Sequence, residues 1–128
     1  KNKGIVYSET PFLQSVHEGA FDFMRFTHSG HRWLFKEFKE IKSGSLNGAF
    51  SSSLFIFSYT IASLLRNRFI GIFLRFILSR LAKILDNLIS DKANIDLSCG
   101  CYFIGQKNSK YKSPINAKDL KNYYSGSQ

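Results

Sequence analysis

Residues 4–27 constrain this fold more than any other segment. Gly4-Ile5-Val6-Tyr7 is a short apolar run with two β-branched residues, which predicts a buried strand. Thr10-Pro11 ends it, because proline lacks the N–H a ladder needs and holds the residue before it extended. Residues 12–26 follow neither the strand nor the helix period and read as a loop. Thr27 then suits the N-cap of a helix over residues 29–38, since its hydroxyl can accept from a first-turn N–H. A strand that runs into a polar loop and on to a helix is α/β grammar, and in such proteins ligands bind where strands end. The strand end and loop set Glu9, Thr10, His17, Glu18, Asp22 and Arg25 among large aromatics, and these six are the candidate site residues.

The middle of the chain has a different character. Residues 43–53 combine Gly44, Asn47, Gly48 and five serines, and read as a linker. No charge occurs between Lys42 and Arg66. Within that stretch residues 54–65 are apolar but diluted by Ser58, Thr60 and Ser63. A membrane span needs about 20 mostly apolar residues, so a buried helix is expected instead. A second helix is expected over residues 68–89, with Gly71 as its weak point. Arg75, Ser79, Lys83, Asp86 and Ser90 recur every three or four residues as a polar stripe opposite Leu74, Ile77, Leu78, Leu81, Leu85 and Leu88. Such a helix either packs on the protein or lies on a membrane surface, where Arg66, Arg68, Arg75, Arg80 and Lys83 suit anionic headgroups. Residues 91–96 read as a polar turn and residues 99–104 as the last strand. Residues 117–124 suit a short helix capped by Asn116 and docked by Leu120, Tyr123 and Tyr124.

A formal charge of +9 allows an anionic partner. The cations are spread along every segment, and neither a zinc-finger spacing nor an RNP-like strand occurs, so no specific nucleic acid is expected. Cys99 and Cys101 flank one glycine with no histidine nearby in sequence, which makes core packing a better reading than zinc binding. Two cysteines build no disulfide framework, which points to a reducing, cytoplasmic setting, with membrane association through the middle helices left open. His28 and His31 fall in the first turn of the expected helix with no third ligand at hand, so both are expected in solvent and no metal is expected.

The first block resembles the C-terminal half of class I S-adenosylmethionine-dependent methyltransferases. The likeness is carried by Glu9-Thr10-Pro11-Phe12, His17-Glu18, Asp22-Phe23-Met24-Arg25-Phe26-Thr27, Gly30 and Leu34-Phe35. Phe38-Lys39-Glu40-Ile41-Lys42-Ser43-Gly44 is similar to the sixth strand of such an enzyme. Ser98-Cys99-Gly100-Cys101-Tyr102-Phe103-Ile104-Gly105-Gln106-Lys107 is similar to the seventh. The resemblance implies an α/β fold: the C-terminal half of a Rossmann-like methyltransferase sheet, with strands five, six and seven. One helix would join five to six, and the seventh strand would run antiparallel between them. Residues 54–89 would be a helical hairpin inserted in one partial domain, residues 1–128. The family's cofactor site uses a glycine-rich turn after the first strand and an acid after the second, and this sequence has no counterpart of either. The implied cofactor, S-adenosylmethionine, would be gripped by the other half of the fold, and this chain alone would be inactive.

Methyl transfer asks little of a protein beyond holding the acceptor in line with the sulfonium methyl group. The resemblance puts the loop on the acceptor side of that site. His17 is the best base, since an imidazole titrates near working pH. Glu18 or Asp22 could orient it, Arg25 could clamp an anionic group with its two-pronged guanidinium, and Glu9 and Thr10 stand at the strand end. Each also has a plain structural role open to it: Asp22 and Arg25 can pair, and Glu9 can accept from backbone N–H groups. The acceptor itself is unspecified. The alternative function is a non-catalytic, basic membrane-surface protein that binds anionic lipid through its middle helices.

Overall fold

A computed structural model describes residues 3–16, 18–107 and 115–128. Three strands, β1 (Ile5–Pro11), β2 (Phe38–Leu46) and β3 (Gly100–Lys107), form one sheet in the order β1-β3-β2. β3 is antiparallel to both neighbours: Gly100 stands opposite Pro11 on one side and Leu46 on the other. β1 and β2 are therefore parallel to each other, and their C-terminal ends share one edge of the sheet with the start of β3. The loop and α1 (His28–Leu34) connect them. The fold is mixed α/β, and β3 lies between β1 and β2, the order that the resemblance implies.

β1 is not the buried strand its apolar run predicts. It lies at the sheet edge, with Ile5 69% and Tyr7 60% exposed, while Val6, Ser8, Thr10 and Pro11 are half-buried. A four-residue apolar run does not distinguish a central strand from an edge strand, because burial depends on what lies beside it. The cap of α1 is as expected, with Thr27 Oγ1 accepting from the Gly30 N–H at 3.1 Å. The helix stops at Leu34, short of Phe38, which belongs to β2. The Arg32 guanidinium donates to the carbonyl of Phe35, the C-cap of α1, at 2.8 Å and to that of Phe38, at the start of β2, at 3.3 Å.

Residues 43–53 are not a linker. Pairing with β3 carries β2 on to Leu46, Asn47 turns the chain at a φ of 57°, and Gly48 opens α2 (Ala49–Leu64). Serine and glycine mark turns only when no partner strand claims them. Residues 91–96 are likewise a helix, α4 (Asp91–Leu97), capped by Ser90 Oγ accepting from the Ala93 N–H at 3.3 Å. Near the C-terminus α5 (Leu120–Tyr123) follows Asn116, whose Oδ1 accepts from the Lys118 and Asp119 N–H groups at 2.8 and 2.9 Å.

The core is small and lies where α1 crosses β3. Phe103 and His31 are each 1% exposed, and the Phe35 ring stacks on Phe103 at 5.1 Å. The expectation that His28 and His31 face solvent is wrong: His31 lies in this core, and His28 is half-buried against Tyr123. His31 is wrapped by Phe26, Phe35 and Phe103, and its Nε2 lies 3.0 Å from Ser8 Oγ. Arg32, 2% exposed, is tolerated because Glu40 Oε2 lies 2.9 Å from its Nε and its guanidinium sits over the Phe103 ring.

Between β2 and β3 the chain leaves the sheet as a helical hairpin, α2 with α3 (Arg68–Asp86). Three residues make its turn. Arg66 adopts a φ of 50°, the Asn67 N–H bonds the Ala62 carbonyl at 2.9 Å, and Asn67 Oδ1 accepts from the Phe69 N–H at 3.0 Å. One residue thus closes α2 with its backbone N–H and starts α3 with its side chain. Asp86, read from its spacing as part of a solvent-facing stripe, is buried at the base of the hairpin. Its carboxylate accepts from the N–H groups of Gly48, Phe50 and Ser51 at 3.0, 2.7 and 3.2 Å and from Ser51 Oγ at 2.6 Å. It therefore caps α2 from another helix, at the end where the helix dipole favours an anion. α3 rests on α2 and does not cover the sheet.

Candidate functional site

The shared C-terminal edge of β1 and β2 holds a cleft of about 300 Å³. Glu9, Thr10 and Pro11 form one wall, Gln14 reaches in from the loop, and Leu46, Asn47, Cys99 and Gly100 complete it. Strand pairing makes this geometry. Gly100 faces Pro11 so closely that a Cβ there would sit 2.4 Å from the Thr10 carbonyl, so only glycine lets β3 begin against the end of β1. The Phe12 and Leu13 N–H groups then bond the Cys99 and Ser98 carbonyls at 2.7 and 3.2 Å, which fixes the first turn of the loop.

Two of the six sequence candidates, Glu9 and Thr10, line the cleft. Glu9 accepts a short hydrogen bond from the Tyr7 hydroxyl, and that bond pushes the Tyr7 phenol above its ordinary pKa. Thr10 Oγ1 and Cys101 Sγ share a 3.3 Å hydrogen bond. Asp22 and Arg25 stand together away from the cleft, as an ion pair inside the loop. The guanidinium also donates to the Phe12 carbonyl at 3.2 Å and to the Gln14 carbonyl, and so ties both ends of the loop together. Glu18 precedes a short 3-10 turn, Gly19–Phe21, and its carbonyl accepts from the Phe21 N–H at 3.1 Å. His17, the expected base, lies outside the described residues.

The sequence reading missed Gln14, Asn47 and Gly100 as cleft residues. A signal existed for Asn47, since Asn-Gly commonly turns a chain at positive φ. None existed for Gln14, which reaches the cleft only because Arg25 gathers the loop. Cys99 and Cys101 are buried free thiols, turned toward Ser52 and Thr10 respectively, and burial pushes both above the ordinary thiol pKa. They are poor nucleophiles in this setting.

A second polar cluster lies under α1. His28 Nε2 is 3.1 Å from Ser43 Oγ, which donates to Glu40 Oε1 at 2.6 Å and lies 2.8 Å from the Tyr123 hydroxyl. Tyr123 in turn donates to Glu40 at 3.0 Å and stacks on the His28 ring at 5.3 Å. Burial pushes Tyr123 up to about 12, and burial lowers both His28 and His31 below the ordinary imidazole value. His28, Ser43, Glu40 and Tyr123 are bonded to one another, so the cluster clamps α5 to the sheet. Among the described residues no three of His, Cys, Asp and Glu gather as metal ligands.

The cleft presents a carboxylate, two amides and a hydroxyl at converging strand ends, which suits holding a polar ligand. Among the described residues that line it, no nucleophile is paired with a base. The turn from β2 into α2 is the nearest to a strand–glycine–helix unit, and the N–H groups it would offer an anion are taken by Asp86. The described fold defines a mixed α/β protein with a three-stranded antiparallel sheet. Comparison with known proteins finds no matching family model, no matching curated protein and no matching solved structure.

Proposed function

We propose that this chain is the acceptor-side half of an S-adenosylmethionine-dependent methyltransferase, and that the cleft at the ends of β1 and β2 positions the methyl acceptor. The observation that carries the reading is the sheet itself. An antiparallel strand late in the sequence lies between two parallel strands joined by a helix, and the cleft opens at the carboxyl ends of that parallel pair. The cofactor, held elsewhere, supplies the methyl group. Glu9, Gln14 and Asn47 bind the polar parts of the acceptor, and Thr10 borders them. Asp22 and Arg25 hold the loop that carries Gln14 and His17. His17 takes the acceptor's proton if the acceptor is a hydroxyl or an amine.

Two measurements test this. Calorimetric titration of this chain with S-adenosylmethionine should show no binding at micromolar concentrations. Micromolar affinity would put a cofactor site inside these residues and overturn the division of labour. In a protein carrying both halves, His17→Ala should lower kcat, and Glu9→Gln should raise KM for the acceptor, with cofactor affinity unchanged in both. Normal turnover in both variants, once folding is verified by thermal melting, would remove the cleft and loop from the chemistry.

A further inference from the structure

We propose that the α2–α3 hairpin is a docking surface for an anionic phospholipid bilayer, lying in the interface without spanning it. This inference stands on the hairpin alone and holds whether or not the cleft serves methyl transfer.

The hairpin is built inside out for water. The residues it buries are Ala49, Ser52 and Ser58 on α2 and Gly71, Ala82 and Asp86 on α3. None of the phenylalanines, isoleucines or leucines of either helix is among them. The helices approach so closely that a Cβ on Gly71 would meet the Ser58 carbonyl at 2.8 Å and Ala62 at 2.9 Å. Small residues fill the seam and large apolar ones point outward, which is the pattern of helices that pack in a lipid environment. Phe69, Ile72, Phe73, Phe76 and Ile84 share one face of α3, each at least half exposed, with Phe76 at 81%. A contiguous apolar face of this kind marks an interaction site. Between the helices a groove of about 360 Å³ is lined by Phe50, Leu54, Phe57, Leu78, Leu81 and Leu85, which suits hydrocarbon.

Charge selects the occupant. Residues 43–85 contain five cations, Arg66, Arg68, Arg75, Arg80 and Lys83, and no acid. Arg66, Arg68, Arg80 and Lys83 are exposed, and Arg75 lies over the Phe55 ring at 4.8 Å. A second copy of the hairpin would bring like charges together, since its one acid, Asp86, is buried and occupied at the start of α2. An anionic bilayer supplies both the apolar phase and the countercharge, and long basic side chains reach its headgroups from an apolar stripe. Among the described residues no helix is long and apolar enough to cross a membrane. Arg66 and Arg68 at the turn also keep the hairpin tip at headgroup depth. Asn47, which lines the cleft, directly precedes the Gly48 N-cap of the hairpin, so docking would bring the cleft edge to the membrane surface.

Flotation tests this directly. The full chain is mixed with vesicles of phosphatidylcholine alone, or of phosphatidylcholine and phosphatidylglycerol in equal parts. It should float with the anionic vesicles, be released by high salt and by carbonate, and partition about tenfold less to the neutral ones. Phe73→Ser with Phe76→Ser should reduce partitioning by about tenfold or more without moving the melting curve, since both rings are already in solvent. Arg66→Glu with Arg68→Glu and Arg80→Glu should abolish the preference for anionic vesicles. The proposal is overturned by absence of flotation, by equal flotation with both vesicle types, or by resistance to carbonate. It is equally overturned if the chain fails to float and sediments as a dimer that the Phe73/Phe76 variant converts to monomer, which would assign the face to a second copy.

Discussion

Replacing Asp86 by alanine should destabilise the protein more than any change on the hairpin's outer surface. The carboxylate accepts four hydrogen bonds of 2.6 to 3.2 Å at the start of α2, from Gly48, Phe50 and Ser51. Gly48, the N-cap residue, has no side chain to do this itself. Loss of a cap costs about 1 kcal/mol, and each hydrogen bond to an ionised partner contributes about 1.5–3 kcal/mol. Phe50 is 40% exposed, so water reaches part of this helix end and recovers some of the loss. A net cost of about 3–4 kcal/mol follows for Asp86→Ala. Asp86→Asn keeps one acceptor oxygen and loses the charge, which gives about half that cost. Gly48→Ala attacks the same contact from the other side, because its Cβ would stand 2.7 Å from the Asp86 carboxylate and 2.3 Å from Asn94 Oδ1. The carboxylate must move away, so the two substitutions are coupled. The double variant should be more stable than the sum of the single costs predicts. Urea unfolding followed by far-UV circular dichroism gives the four free energies of the cycle. A cost below about 1 kcal/mol for Asp86→Ala, or full additivity with Gly48→Ala, would refute the claim that this carboxylate holds α2 in place.

Acid should weaken the fold through His28 and His31. Both have folded pKa values below the ordinary 6.5, so the unfolded chain binds protons that the folded chain refuses. Their contribution is intact above that value and is lost as pH falls from it through the folded values, by up to about 1.4 kcal/mol per pH unit for each histidine. Melting curves from pH 7.5 downward (a range of about three units) should show this, and His31→Gln should flatten the profile. Gly71→Val should cost about 1–3 kcal/mol by forcing the hairpin seam apart, and a melting temperature equal to wild type would contradict the close packing described. Cys99 and Cys101 should react with a disulfide reagent only slowly until denaturant is added, and rapid labelling of the native protein would show that their burial is not maintained.

Local chemistry was legible in the sequence. Thr27 caps α1 through its own hydroxyl, Asn116 accepts the N–H groups that open the C-terminal turn, and Pro11 ends β1, because each effect needs only a few neighbouring residues. The helical hairpin could be anticipated from a long uncharged run followed by a periodic one. Burial was not legible, because it belongs to what lies across space. Ile5 and Tyr7 are exposed because no described strand flanks β1 on its outer side. Ser43 and Ser45 are in a strand because β3 pairs with them. His31 is in the core because α1 turns it onto Phe103, and Asp86 is buried because α3 returns to the start of α2. The cleft has the same origin. Glu9 and Asn47 lie far apart in the chain, and pairing with β3 brings the ends of β1 and β2 to one edge. Sequence alone determined the local caps and the presence of the helical hairpin. Only the tertiary structure decided which side chains leave water, because that depends on contacts between residues the chain itself holds apart.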